Sequence, residues 1–112
     1  MKRVEAIIRP ERLDAVKEAV TGLGHMGLTV TEVKGHGTQG GISQHWRGAE
    51  YVIDLLPKVS IVAVVNDHEV ADVVAVIQKA ARTDRIGDGK IFISPVEEVI
   101  RVRTGESGPE AL

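Results

Sequence analysis

Cysteine is absent from this 112-residue chain, so neither a disulfide framework nor a thiolate metal site can form. That fits a reducing compartment, and the cytoplasm is the expected location. Aromatic residues are scarce. Trp46, Tyr51 and Phe92 are the whole set, too few for a platform that stacks nucleic-acid bases. Positive charge is not in excess either. The formal net charge of −2 excludes a nucleic-acid binder driven by bulk charge, and no direct nucleic-acid contact is expected. No apolar run approaches the ~18 residues of a membrane span. The opening Met1-Lys2-Arg3-Val4-Glu5 meets charged residues too soon for a signal peptide. What remains is 43% hydrophobic and 27% charged, a globular composition sized for one domain, 1–112, with one core.

Hydrophobic spacing orders that domain. Val4 to Arg9 reads as a strand ended by Pro10. Glu11 to Gly22 reads as a helix, with Leu13, Val16, Ala19, Val20 and Leu23 on one stripe. Leu28 to Lys34 and Lys58 to Asn66 read as strands, and His68 to Ala81 as a second helix. Lys90 to Ile93, then Glu98 to Arg103, supply further strand. The expected fold is α+β: a ferredoxin-like βαββαβ antiparallel sheet with two helices on one face. The other face lacks helical cover, so further subunits are expected to cover it.

A long polar link joins the second and third expected strands, over 36–55. It carries Gly37, Gly40, Gly41 and Gly48 beside Trp46 and Tyr51. A loop of this length in a small domain is functional or disordered. A surface insertion without a role is the alternative reading. The end of the chain, about 105–112, reads as a flexible, solvated tail.

The densest local signal is Arg82-Thr83-Asp84-Arg85-Ile86-Gly87-Asp88-Gly89-Lys90-Ile91-Phe92-Ile93. A helix ends, glycines flank an aspartate, and a lysine opens a strand. Glycines let successive N–H groups converge on an anion. Lys90 adds a cation, and Asp88 suits a ligand with hydroxyls beside its phosphates. It is not the GxxxxGK[ST] phosphate loop, because Ile91 and a strand follow Lys90. A plain tight turn before a strand remains the alternative. Arg101 and Arg103, two apart on an expected strand, would present paired forks roughly 7 Å apart, suited to a polyphosphate or to a solvated edge. Lys58, straight after Pro57, suits a carboxylate or simply a charged strand start. Gln39 among glycines can meet a metal or remain a solvated loop residue. The four histidines show no metal-ligand spacing, and no Ser/His/Asp triad or cysteine nucleophile is present. The visible chemistry is binding rather than turnover.

Five motifs in order resemble the PII signal-transduction family, the trimeric nitrogen and energy sensors. They are Thr29-Val30-Thr31-Glu32-Val33-Lys34-Gly35, Arg47-Gly48-Ala49-Glu50-Tyr51, Leu56-Pro57-Lys58-Val59, Thr83 with Gly87-Asp88-Gly89-Lys90-Ile91-Phe92-Ile93, and Ile100-Arg101-Val102-Arg103-Thr104-Gly105-Glu106. The resemblance implies a cytoplasmic homotrimer that is not an enzyme. It implies ATP or ADP at subunit boundaries, held by Thr29, Gly37, Thr38, Gln39, Val64, Gly87, Asp88, Gly89, Lys90, Arg101 and Arg103. It assigns 2-oxoglutarate to Gln39, Gly41, Lys58 and Gly87, and Mg²⁺ to Gln39 through ATP and 2-oxoglutarate. Tyr51 matches a tyrosine that is nucleotidylylated in some members. Implied partners are an ammonium channel, a nucleotidyltransferase or a nitrogen-metabolism enzyme, with membrane contact only through a partner. The alternatives are a paralogue sensing another metabolite and a small phosphotransferase using Lys90, Arg101 and Arg103.

The chain also departs from the family pattern. The family's Arg-Gln-Lys-Gly at the loop base is Thr38-Gln39-Gly40-Gly41 here, and Val62 stands where an acidic residue is usual. Both halves of an expected ion pair are thus missing together. Trp46 replaces a common tyrosine. Asp84 replaces a common glycine, which brings a carboxylate near the expected phosphates.

Overall fold

The computed structural model describes residues 1–24, 27–36, 42–46, 49–53 and 55–112, with 42–46 and 49–53 by backbone alone. Strand β1 runs Lys2–Ile8, with Val4, Ala6 and Ile8 buried on one side of the pleat. Pro10 then starts a 3-10 turn over Pro10–Arg12, because proline has no N–H to continue the ladder. Helix α1 spans Leu13–Thr21 and buries Val16 and Val20. Strand β2 is Thr29–Gly35 and β5 is Leu56–Val65. A 3-10 turn over Asp67–Glu69 leads into helix α2, Val70–Ala81. There Glu69 Oε1 reaches back to the Asn66 N–H at 3.1 Å, holding the chain as it enters the helix. Val73, Ile77 and Ala81, four apart, are the buried stripe of α2. Strand β6 covers Gly89–Pro95.

Within the link between β2 and β5, two short strands pair antiparallel: β3, Ile42–Trp46, and β4, Ala49–Ile53. Gln44 stands opposite Tyr51 and Trp46 opposite Ala49. The main sheet has the order β2-β5-β1-β6 with every pair antiparallel, which is the ferredoxin-like arrangement expected.

Register assigns the two faces. Val4 lies between Ala63 and Ile93, and Ala6 between Ile61 and Ile91. Val4, Ala6, Ile61 and Ala63 meet Val16, Val20, Val73 and Ile77 in one core, Ile91 packs against it, and Ile93 stays half exposed. Fully burying a valine or isoleucine there stabilises by roughly 1.5–3 kcal/mol. Arg12 joins the helices, its guanidinium donating to the Ala80 carbonyl at 2.8 and 2.6 Å. On the opposite face Glu5 lies between Val62 and Phe92. It accepts from the Ser60 hydroxyl at 2.6 Å and from Arg3 at 3.3 Å. The Ser60 bond is the main reason its carboxyl stays below the usual range.

The expected strand over Glu98 to Arg103 does not form. Only Ile100 bridges, to Ser107. Gly105, at φ +74°, reverses the chain: its N–H donates to Arg101 O at 2.8 Å, and Arg101 N–H donates to Glu106 O at 2.8 Å. The segment satisfies its own backbone, so it joins no sheet. A short 3-10 turn follows over Gly108–Ala111.

Candidate functional site

The chain leaves α2 at Ala81 and enters β6 at Gly89 through one compact turn. Gly87 and Gly89 take φ of +101° and +107°, which L side chains avoid. At Gly89 a Cβ would also lie 1.8 Å from the Ile7 carbonyl oxygen, because Gly89 sits opposite Ile8 in the sheet. Asp84 takes φ +66°, a left-handed conformation that aspartate tolerates better than most residues.

Asp88 ties the turn together. Its carboxylate accepts from Thr83 N–H at 2.7 Å, Asp84 N–H at 3.0 Å and the Thr83 hydroxyl. Arg9 Nε adds a fourth donor at 3.0 Å. These donors, the Thr83 hydroxyl foremost, hold the Asp88 carboxyl far below the usual carboxylate range. Its oxygens are thus committed to shaping the turn.

Two cations grip the same turn from the neighbouring strands. Arg9, buried at the end of β1, also donates Nη2 to the Ile86 carbonyl at 2.8 Å. Lys58, near the start of β5, donates Nζ to the Gly87 carbonyl at 2.6 Å. Burial, and after it the nearby Arg9 charge, pulls the Lys58 pKa below the usual lysine value, while Glu11 and Asp88 oppose that. A cleft of about 360 Å³ opens beside the turn, lined among others by Gln78, Arg82, Asp84, Arg85, Asp88 and Lys90.

The structure therefore brings Lys58 against the consecutive Gly87, Asp88, Gly89 and Lys90, although Lys58 lies 29 residues away from Gly87 in sequence. Lys58 and Gly87, both assigned by resemblance to 2-oxoglutarate, are in direct contact. Thr29, exposed at the start of β2, is level with Val62, and Val64 lies two residues along the same face. Gly37, Thr38, Gln39 and Gly41 lie outside the described residues, as does the Tyr51 side chain on β4. Arg101 and Arg103 do not present paired forks from one strand, because no strand forms there. Arg101 instead donates to Glu106 Oε1 at 3.4 Å and to the Glu110 carbonyl at 3.3 Å, and neither arginine lines the cleft. Sequence reasoning missed Arg9. Its one signal was a basic residue at a strand end just before Pro10. Among the described residues no group of three or more His, Cys, Asp or Glu is placed to hold a metal ion. Among them, too, no helix is long and apolar enough to cross a membrane.

Comparison with known proteins agrees with this picture. The family model described as "Nitrogen regulatory protein P-II" matches residues 1–106. The chain is 57% identical over 112 residues to the nitrogen regulatory protein P-II of Azospirillum brasilense, covering all of both chains. It is 58% identical over 112 residues to that of Cereibacter sphaeroides, again covering all of both. It is 58% identical to the nitrogen regulatory protein P-II 2 of Methanothermobacter thermautotrophicus, covering all of this chain and 97% of that one. The chain belongs to the nitrogen regulatory protein P-II family.

Proposed function

We propose that this member of the P-II family is a non-enzymatic regulator of nitrogen metabolism. In this reading it works as a homotrimer, takes ATP or ADP at subunit boundaries, and senses 2-oxoglutarate together with Mg²⁺-ATP. The 36–55 link, with the β3–β4 ribbon inside it, would be the signalling element offered to partner proteins. Those partners are an ammonium channel, a nucleotidyltransferase or a nitrogen-metabolism enzyme.

One observation carries the reading: Arg9, Lys58 and the Gly87–Lys90 stretch converge on one left-handed turn. The turn suits phosphate groups, because two glycines with positive φ permit close backbone approach and Lys90 stands beside them as a cation. Asp88 does not oppose such a ligand directly, because its carboxylate already accepts four hydrogen bonds. The same fact argues against turnover. A carboxylate held so far below its usual pKa is a poor general base.

The chain's own residues then have distinct tasks. Lys90 would neutralise phosphate charge. Lys58 would exchange its bond to the Gly87 carbonyl for the far carboxylate of 2-oxoglutarate. Gln39 would hold Mg²⁺, a hard cation that would supply positive charge for oxygen ligands there. Arg101 and Arg103, away from their own cleft, would reach a neighbouring subunit's nucleotide. A ligand biases the link only by binding its conformations with different affinity.

Calorimetric titration tests the proposal. ATP and ADP should bind without hydrolysis, and 2-oxoglutarate should bind with Mg²⁺-ATP but not with ADP. Catalytic turnover of the nucleotide, or 2-oxoglutarate binding indifferent to it, would refute it.

A further inference from the structure

One ion pair in the cleft has no part in the proposed function. Arg82, the first residue past α2, donates Nε to the Asp84 carboxylate. The two side chains are 65% and 72% exposed, and both line the cleft with Arg85 and Lys90. Exposure decides how such a pair behaves. In water it contributes little to stability, so its members change partners at low cost.

The two members differ in freedom. Asp84 is fixed by its backbone: φ is +66°, and its N–H donates to Asp88 Oδ2 at 3.0 Å. Arg82 carries a long, exposed side chain held by that carboxylate. A guanidinium fork matches two oxygens of a phosphate as well as it matches a carboxylate. An incoming phosphate therefore competes with Asp84 for the same donor, and Asp84 left behind remains hydrated.

We propose that Arg82 is a phosphate-binding residue of this cleft, held by Asp84 until a phosphate chain displaces it. Asp84 thereby sets how strongly the cleft favours anions. The inference rests on the reading of the turn as a nucleoside-phosphate site and adds two residues to it. The shared ligand chemistry is a chain of phosphates, from a nucleotide or from inorganic polyphosphate.

The test is a double-mutant cycle on the full chain, with ATP, ADP and inorganic tripolyphosphate as separate calorimetric probes. The variants are Arg82→Gln, Asp84→Asn and the double substitution. Asparagine tolerates the left-handed backbone at position 84, so the turn should survive, and thermal unfolding checks this. Arg82→Gln should weaken ATP about tenfold, the loss expected for one charge-assisted hydrogen bond. Asp84→Asn should strengthen ATP about threefold or more, and most of that gain should vanish in the Arg82→Gln background. Matching changes with tripolyphosphate would identify the phosphate chain alone as the ligand feature. Changes with nucleotides only would show that the base must first seat the phosphates, and Arg82 keeps its role. An Asp84→Asn gain that is the same with and without Arg82 would overturn the inference. So would ATP binding that neither substitution alters, while the nucleotide-site reading would then stand. Failure of the wild-type chain to bind any probe would reject both.

Discussion

Arg9 Nε lies 3.0 Å from Asp88 Oδ1, joining the end of β1 to a turn 79 residues further along the chain. The contact is more than a brace. Asp88 uses its other bonds to hold Thr83 and Asp84, so Arg9 fixes a carboxylate that in turn fixes the loop. Removing the guanidinium should therefore loosen the loop while leaving the sheet paired. Arg9→Gln is expected to speed amide hydrogen exchange at Gly87 and Asp88 by roughly tenfold, with little change in the centre of β1. Equal acceleration across β1 would show instead that Arg9 supports the sheet.

Acid should find the same network. The native Asp88 carboxyl titrates far below its unfolded value. Its contribution to stability is therefore complete above the unfolded pKa of about 4 and is lost as pH falls toward the native value. Urea midpoints measured downward from about pH 5 should fall less steeply for Asp88→Asn than for the wild type. Parallel pH profiles would place the acid sensitivity in other carboxylates.

Gly89 tests the close approach of β6 to β1. An alanine there meets the Ile7 carbonyl oxygen at 1.8 Å and its carbon at 2.8 Å, on a backbone at φ +107°. Neither contact is with a flexible side-chain end, so one strand must move. Gly89→Ala should cost on the order of 3 kcal/mol or more, read as a large drop in thermal midpoint. Gly24→Ala is the control: its φ is +93°, but no atom lies within 4 Å of the added Cβ, so it should cost less.

These contacts also show what could be read from the sequence. The helical stripe through Val16 and Val20 announced the buried face of α1, because that pattern follows from the element's own geometry, while Leu23 just past its end stays exposed. The strand expected at Glu98 to Arg103 failed, because Ile100 and Val102 suggested a pleat that Gly105 undoes by closing the chain on itself. At the turn, Gly87, Asp88, Gly89 and Lys90 were legible from local chemistry. Arg9 was not, because its partner is distant in sequence and nothing local to Arg9 names it. The Arg82–Asp84 pair was half legible: the extra carboxylate was apparent, but not the arginine that neutralises it.

Lys58 gives a pH signature on the ligand side. Burial and Arg9 lower its pKa, so it loses its proton at a lower pH than an ordinary lysine. Binding of 2-oxoglutarate with Mg²⁺-ATP should therefore weaken on the alkaline side before pH reaches about 10.4. Lys58→Gln should weaken that ligand at least about tenfold and leave ADP binding nearly intact. Equal loss of both ligands would mean that Lys58 acts by holding the Gly87 carbonyl rather than by pairing with a carboxylate.

Arg101 and Arg103 provide the sharpest test of the proposed subunit-boundary site. Within one protomer neither lines the cleft beside Lys90, and Arg101 is tied to Glu106 and Glu110. If these arginines serve the nucleotide, they must serve one held mainly by the neighbouring subunit. Lys90→Ala and Arg103→Ala should then each abolish most ATP binding as pure trimers, while mixtures recover it. In any trimer containing both variants, one boundary joins an intact Lys90 to an intact Arg103. Random mixing in equal amounts should restore about a quarter of all sites at wild-type affinity. Calorimetry after unfolding and refolding the two chains together measures that fraction, and light scattering on the same sample reports whether trimers form. If both groups instead acted within one protomer, every subunit would lack one of them and mixing would restore nothing.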